Sequence, residues 1–173
     1  MAEIKPFRAW RYRPSLLEKI GELTSPLFDV ASEKQREALY GNSLNSIHLS
    51  IPRGDQPAKN AAAALAEWKR KKVIIRDEIP GIYVYYQYFS LPSDPKLYCR
   101  KGFICKIRVH DWQDNIILRP ENVMDDAVDG QLELLAETRL NASPTHGLYT
   151  DASFELEPYM DACIQHPICM TED

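Results

Sequence analysis

Glycine is scarce in this chain, with seven in 173 residues. There is no glycine-rich phosphate loop, no G-x-S-x-G nucleophile elbow and no paired-histidine zinc helix. Those absences set aside most enzyme classes that a short motif would announce, and the shortage of glycine argues against a linker-rich protein. Cysteine is sparse too. Cys99, Cys105, Cys163 and Cys169 are too few in a chain of this length for a disulfide scaffold, so reduced thiols are expected. No apolar run is long enough to span a bilayer, and the opening Met1 to Trp10 carries charges where a signal peptide needs an apolar stretch. A cytoplasmic protein with no membrane partner is expected. Positive charge is not in excess: the net charge is -4 and the pI about 5.6. Without a global positive field, nucleic acid is not an expected partner, and small-molecule or nucleotide ligands or other proteins are. A hydrophobic content of 45% supports one sizeable core, hence a single domain over residues 1–173.

What the chain does have is a long pair of strand-forming runs between Gly81 and Asp111. The first arm, Gly81 to Phe89, is apolar or aromatic at nearly every position, which predicts a central strand covered on both faces. The second arm, Tyr98 to Val109, alternates. Cys99, Phe103, Cys105, Ile107 and Val109 share a predicted core face, while Arg100, Lys106, Arg108 and His110 share the other. Ser93 to Lys96 is the expected polar connection.

Elsewhere the pattern predicts a short first strand over Ile4 to Tyr12, helical turns at Leu16 to Leu23, and extended chain from Thr24 to Val30. Ser32 followed by Gln35 has capping-box spacing for a helix from Glu33 to Tyr40, with Gly41 placed to end it in the left-handed conformation. Asn45 to Ile51 alternates like a strand. Pro57 to Lys72 is the clearest helix, because Ala58, Ala61, Ala62, Leu65 and Trp68 recur at three- and four-residue steps with Trp68 as anchor. Short strands are expected at Val73 to Ile75, Ile116 to Leu118 and Thr145 to Tyr149. A second amphipathic helix is expected over Ala127 to Leu140, carrying Val128, Leu132, Leu135 and Arg139 in register, and a weak one over Leu156 to Gln165.

Few constellations suggest chemistry. Lys69 to Lys72 is a basic run, but cations in the last turn of a helix are what its dipole favours. Cys99 and Cys105 lie about 20 Å apart along one strand, too far to share a zinc ion with His110. Cys163, His166 and Cys169 are closer together and offer three metal ligands from a turn, without a fourth. His48 and His146 have no triad partner and read as structural or surface residues. Arg100, Lys106 and Arg108, set beside a tyrosine-rich arm, are the candidates for holding phosphate groups, although half-exposed strands commonly carry charges on their wet side.

Five segments in order carry a resemblance. They are Ile4-Lys-Pro-Phe-Arg-Ala-Trp-Arg-Tyr12, Ser25-Pro-Leu-Phe-Asp-Val30, Gly81-Ile-Tyr-Val-Tyr85, Arg100-Lys-Gly-Phe-Ile104 and Asn141-Ala-Ser-Pro-Thr-His-Gly-Leu-Tyr149. Over at least residues 4 to 151 the chain resembles the start of the family catalogued as domain of unknown function 1015. Members of that family continue past the end of this chain into a part with an Asp-Gly-His-His-Arg motif. That motif is similar to one in the ParB and sulfiredoxin-like nucleotide-dependent kinases, some of which phosphorylate free serine, and this sequence lacks it. The family pattern His-Glu-x-Thr reads Pro120-Glu-Asn-Val123 here, and Asp-Arg reads Gly130-Gln131, so Glu121 is what remains of that acid cluster.

Together these readings predict an α+β fold with a mixed or antiparallel sheet centred on the 81–109 hairpin and helices on one side. Two functions follow. In the first, which the resemblance implies, this is the N-terminal part of a nucleotide-dependent small-molecule kinase, inactive as this chain alone. Asp29 and Glu121 then contact metal or substrate, Arg100, Lys106 and Arg108 the phosphates of ATP or ADP with magnesium. The second is a non-catalytic binding or protein-interaction module, which the substitutions at Pro120, Val123, Gly130 and Gln131 favour.

Overall fold

Ser32 caps the first well-formed helix as its spacing predicts: its hydroxyl accepts the Gln35 backbone N–H and the Gln35 side chain accepts the Ser32 N–H. The computed structural model describes residues 2–26, 30–119 and 125–170. Among them the strands are β1 (Ile4–Lys5), β2 (Trp10–Tyr12), β3 (Ile74–Arg76), β4 (Tyr83–Leu91), β5 (Asp94–Ile104) and β6 (Lys106–Ile107). The α-helices are α1 (Ile20–Leu23), α2 (Glu33–Tyr40), α3 (Ile47–Ser50), α4 (Pro57–Arg70), α5 (Asp125–Thr138) and α6 (Glu157–Ile164), with 3-10 turns at Pro14–Lys19 and Trp112–Asp114. The fold is α+β, and its strands form small antiparallel pairs: β1 with β6, β2 with β3, and β4 with β5. No helix among the described residues is long and apolar enough to cross a membrane.

The chain divides into two compact units. One holds residues 10–26, 30–75 and 125–147, and it has the larger core. Its centre is Leu49, Leu65, Trp68, Val73 and Ile74, with Trp10, Tyr12, Leu16, Leu44, Leu140 and Ala142 packed around them. Helix α4 is positioned by the predicted stripe: Ala58, Ala61, Leu65 and Trp68 are its buried residues, and Trp68 is 4% exposed. At its end Lys72 adopts φ 53°, with the Val73 N–H on the Trp68 carbonyl and the Lys72 N–H on that of Lys69, a Schellman closure. The basic run there is partly answered by Glu67, which pairs with Arg70 and Lys71 at 2.8 Å each. Hydrogen bonds from Arg70 and then Lys71 hold the Glu67 carboxyl at a pKa of about 2.

Several expectations in this unit are corrected. Asn45 to Ile51 is not a strand. The Asn45 side chain accepts the Ile47 N–H and starts the one-turn helix α3, an alternative that asparagine offers the backbone and that alternation does not reveal. Gly41 takes φ -62°, in the right-handed region, because the chain coils on toward α3 and does not reverse. Helix α5 buries Leu134 and Thr138, leaving the anticipated stripe of Val128, Leu132 and Leu135 exposed: Ala58 and Ala61 of α4 cluster with Leu134, and that contact sets the rotation. Thr145 to Tyr149 is not a strand.

The other unit comprises residues 2–9, 76–119 and 148–170. Its first expected strand is broken near Pro6. Lys5 pairs with Lys106, Ile4 with Ile107, and Phe7 makes only an isolated bridge to Gly81. Strands β4 and β5 form a two-stranded ribbon in register from Tyr83 opposite Ile104 to Ser90 opposite Leu97. The arm read as a central strand is therefore paired along one edge, and none of its residues is buried. Tyrosine explains the misreading, since each ring counts as apolar in the pattern yet keeps a hydroxyl that needs a polar partner. The turn is tighter than expected, at Pro92 and Ser93, with β5 already begun at Asp94. The core face predicted for the second arm is not buried: Cys99 is exposed, Phe103 and Cys105 are half-buried, and beyond Cys105, where pairing passes from β4 to β1, Ile107 and Val109 are 51% and 88% exposed. Ile116 to Leu118 forms no strand. Helix α6 lies against β4, and its Met160 is the buried apolar residue of this unit among those described.

Candidate functional site

A small cleft opens in the unit that holds α4. It has a volume of about 190 Å³ and is lined by Trp10, Arg11 and Tyr12 from β2, Ser46 and Leu49 at α3, Trp68 and Ile74. Leu140, Asn141 and Ala142 close its remaining side.

The aromatic side is rigidly held. Tyr12 and Trp68 pack with ring centroids 5.9 Å apart, and the Tyr12 hydroxyl lies 2.7 Å from the Leu44 carbonyl oxygen and 3.0 Å from that of Leu23. Burial pushes the Tyr12 pKa well above the ordinary tyrosine range, so it stays a neutral donor. The Trp10 ring carries the Lys69 ammonium 4.7 Å from its centroid, a cation–π contact that orients the indole.

The polar side is built from hydroxyls. Ser46 Oγ accepts the Ser25 N–H at 3.0 Å and shares a hydrogen bond with Ser25 Oγ at 3.1 Å, and Ser25 Oγ in turn meets Ser50 Oγ at 3.2 Å. Asn45, fully buried, fixes this corner: its amide donates to the carbonyls of Glu22 and Thr24 at 2.9 Å each, and its oxygen accepts the Ile47 N–H. The loop after α1 is thereby tied to the start of α3, which places Ser46 at the cleft wall. With an aromatic side, the Ser46 hydroxyl and the polar residues Arg11 and Asn141 in its lining, the cleft suits a small ligand of mixed polarity.

The residues singled out from the sequence lie elsewhere. Asp29 and Glu121 fall outside the described residues. Arg100 sits opposite Gln87 in the ribbon with its guanidinium 5.6 Å from the Phe89 ring centroid. Lys106 belongs to the β1–β6 pair opposite Lys5, and Arg108 follows it, its side chain 3.3 Å from the Glu3 carboxylate. Hydrogen bonds from Lys5 and then Arg108 hold the Glu3 carboxyl below its ordinary pKa. Arg100 thus sits in one strand pair while Lys106 and Arg108 go with another. Cys163, His166 and Cys169 lie at and beyond the end of α6, and no group of three His, Cys, Asp or Glu side chains suited to a metal occurs among the described residues.

Sequence reasoning missed the cleft because its lining residues look like ordinary core and turn positions. One signal was available in the resemblance. Trp10 to Tyr12 end the first resembling segment, Asn141 and Ala142 begin the last, and Ser25, which opens the second, bonds to Ser46. Segments distant in sequence meet there.

A family model described as a protein of unknown function, DUF1015, matches residues 4–173. No curated protein and no solved structure matches the chain.

Proposed function

The chain belongs to the DUF1015 family, and from that premise we propose that it binds a small polar metabolite of amino-acid size in the cleft between Trp10 and Trp68. The observation that carries this reading is that two resembling segments line one cleft of about 190 Å³ and a third is hydrogen-bonded to its Ser46. Pockets that take drug-sized ligands run from roughly 300 to 1,000 Å³, so this one suits an amino acid better than a whole nucleotide. Trp10 and Trp68 report on it directly. In a Trp112→Phe background they are the remaining tryptophans, and titration with serine and other small amino acids should give a saturable fluorescence change that Ser46→Ala weakens. No saturable change with any member of such a panel overturns the proposal.

The second reading is the nucleotide-dependent kinase that the resemblance implies, with free serine as substrate. Asp29 and Glu121 would contact magnesium or substrate, and Arg100, Lys106 and Arg108 the phosphates of ATP or ADP. The amino-acid size of the cleft favours it. Phosphoryl transfer needs metal, phosphate clamp and base acting together, and loss of members of such a unit is strongly non-additive. Pro120, Gly130 and Gln131 replace the family partners of Glu121, so binding without turnover is expected of this chain alone. Incubation with serine, magnesium and ATP or ADP tests it by mass spectrometry. Phosphoserine above a buffer blank, lost in Glu121→Gln, would establish the kinase.

A further inference from the structure

The three hydroxyls behind the cleft wall admit one arrangement of their protons that satisfies every contact between them. A serine hydroxyl has one proton to donate and two lone pairs with which to accept. Ser50 Oγ lies 3.2 Å from the Ser46 carbonyl oxygen, which can only accept, so the Ser50 proton is directed there. The 3.2 Å contact between Ser25 Oγ and Ser50 Oγ is then donated by Ser25. With that proton used, the 3.1 Å contact between Ser25 Oγ and Ser46 Oγ is donated by Ser46. Any other arrangement leaves one of these contacts without a proton.

Ser46 lines the cleft, yet its hydroxyl proton is turned back toward Ser25, and its backbone N–H donates to the Leu23 carbonyl at 2.7 Å. Of the two lone pairs on Ser46 Oγ, the Ser25 N–H takes one, at 3.0 Å. The other is left for the cleft. Tyr12 offers no proton there either, because its hydroxyl faces the carbonyl oxygens of Leu44 and Leu23. Ser46 therefore meets a ligand as an acceptor. A carboxylate oxygen at that point would set lone pair against lone pair, whereas an N–H would complete the hydrogen bonds of Ser46 Oγ. Positive charge on that nitrogen strengthens the bond, and tryptophan faces in the wall attract cations.

We propose that the ligand of this cleft is an amine whose protonated nitrogen donates an N–H to Ser46 Oγ, and that Ser25 and Ser50 are positioning residues that hold Ser46 as an acceptor. This rests on the reading of the cleft as a small-metabolite site and adds which end of the metabolite meets Ser46. Ser50 is buried and outside the lining, so it sets the polarity of the site from two hydrogen bonds away.

The test is a methylation series: glycine, N-methylglycine, N,N-dimethylglycine and N,N,N-trimethylglycine. All carry the same charges at neutral pH, and they lose their N–H groups one by one until the last has none. Titrated into the full chain in the Trp112→Phe background, the members with an N–H should give a saturable fluorescence change. The last methyl should raise the dissociation constant about tenfold or more, the worth of a hydrogen bond to a charged group. Crowding alone would spread its cost over all the steps, since each adds one methyl. In Ser50→Ala the Ser25 proton turns to Ser46 Oγ and takes its last lone pair, so the final step should shrink to about threefold or less. Ser50→Cys, whose sulfur is a weak acceptor, should shrink it too and serves if alanine loosens α3. Equal affinity for the dimethyl and trimethyl members overturns the proposal and leaves the broader reading of the cleft standing. A final step of unchanged height in both Ser50 variants overturns it as well. So does a series in which no member saturates the signal, and a response to other small amino acids would then still support the broader reading.

Discussion

Tyr12 and Trp68 meet ring against ring, their planes inclined by 44°, and the Tyr12 hydroxyl reaches past that contact to the Leu44 carbonyl oxygen 2.7 Å away. One side chain thus joins a short strand, helix α4 and the loop that leads into α3. Truncating either ring opens the same core. Trp68→Ala should cost about 3–5 kcal/mol, the usual loss for a large buried aromatic. Tyr12→Phe keeps the ring and strands a carbonyl, so about 1–3 kcal/mol is expected. Denaturant midpoints measure both, and a Trp68→Ala midpoint near wild type would mean that the cleft wall is not part of the core.

Asn45 is the second expected point of failure. Its side chain satisfies the carbonyls of Glu22 and Thr24 and the N–H of Ile47 in a site without solvent. Asn45→Ala should cost at least about 2 kcal/mol through those orphaned groups. Asn45→Asp should be worse at neutral pH, because it turns a donor into a charged acceptor facing two carbonyl oxygens. Thermal midpoints of the two variants, compared in one buffer, decide the order.

Gly102 is expected to be replaceable only at a cost set by Tyr85. A Cβ there would stand 2.8 Å from the Tyr85 ring, which lies across the ribbon over the glycine. Gly102→Ala should destabilise by about 1–2 kcal/mol as the ring is displaced. The same change in a Tyr85→Ala background should cost less, and a double-mutant cycle with no coupling would contradict the cross-strand contact.

Helix α4 and the Ser32 cap were legible from sequence because one local pattern decided each: an apolar stripe at three- and four-residue steps, and a hydroxyl three residues from a glutamine. Helix α6 and the hairpin were legible for the same reason. Rotation of α5 was not, since two apolar stripes compete on it and only the partner, Ala58 and Ala61 of α4, selects between them. Phe103 illustrates the limit of strand parity. It was expected in the core and is half-buried against Tyr149, ring centroids 5.3 Å apart. The cleft escaped notice because Ser46 and Trp68 carry no motif. They become a site through the hydrogen bonds of Asn45 and the packing of Tyr12, which join residues far apart in sequence.

The last prediction concerns Lys101, whose ammonium donates to Glu157 at 2.7 Å and to Asp161 at 3.0 Å while the Tyr86 hydroxyl donates to Asp161. Those hydrogen bonds, Glu157 first, raise the Lys101 pKa, and burial followed by the bond to Asp161 pushes the Tyr86 pKa up to about 12. A group whose folded pKa is raised stabilises the fold fully below its ordinary value and loses that contribution as pH rises through the folded one. For lysine and tyrosine the ordinary values are about 10.4 and 10, so the loss falls in the alkaline range. Asp161 behaves oppositely: hydrogen bonds from Tyr86 and then Lys101 lower its pKa, so its contribution is present above the ordinary value of about 3.9 and is lost as pH falls through the lowered one. The difference in thermal midpoint between wild type and Lys101→Met should therefore be greatest between about pH 5 and pH 9 and shrink toward both extremes. A difference that stays constant from acid to alkali would mean that Lys101 holds α6 to the ribbon through the packing of its methylene stem and not through its charge.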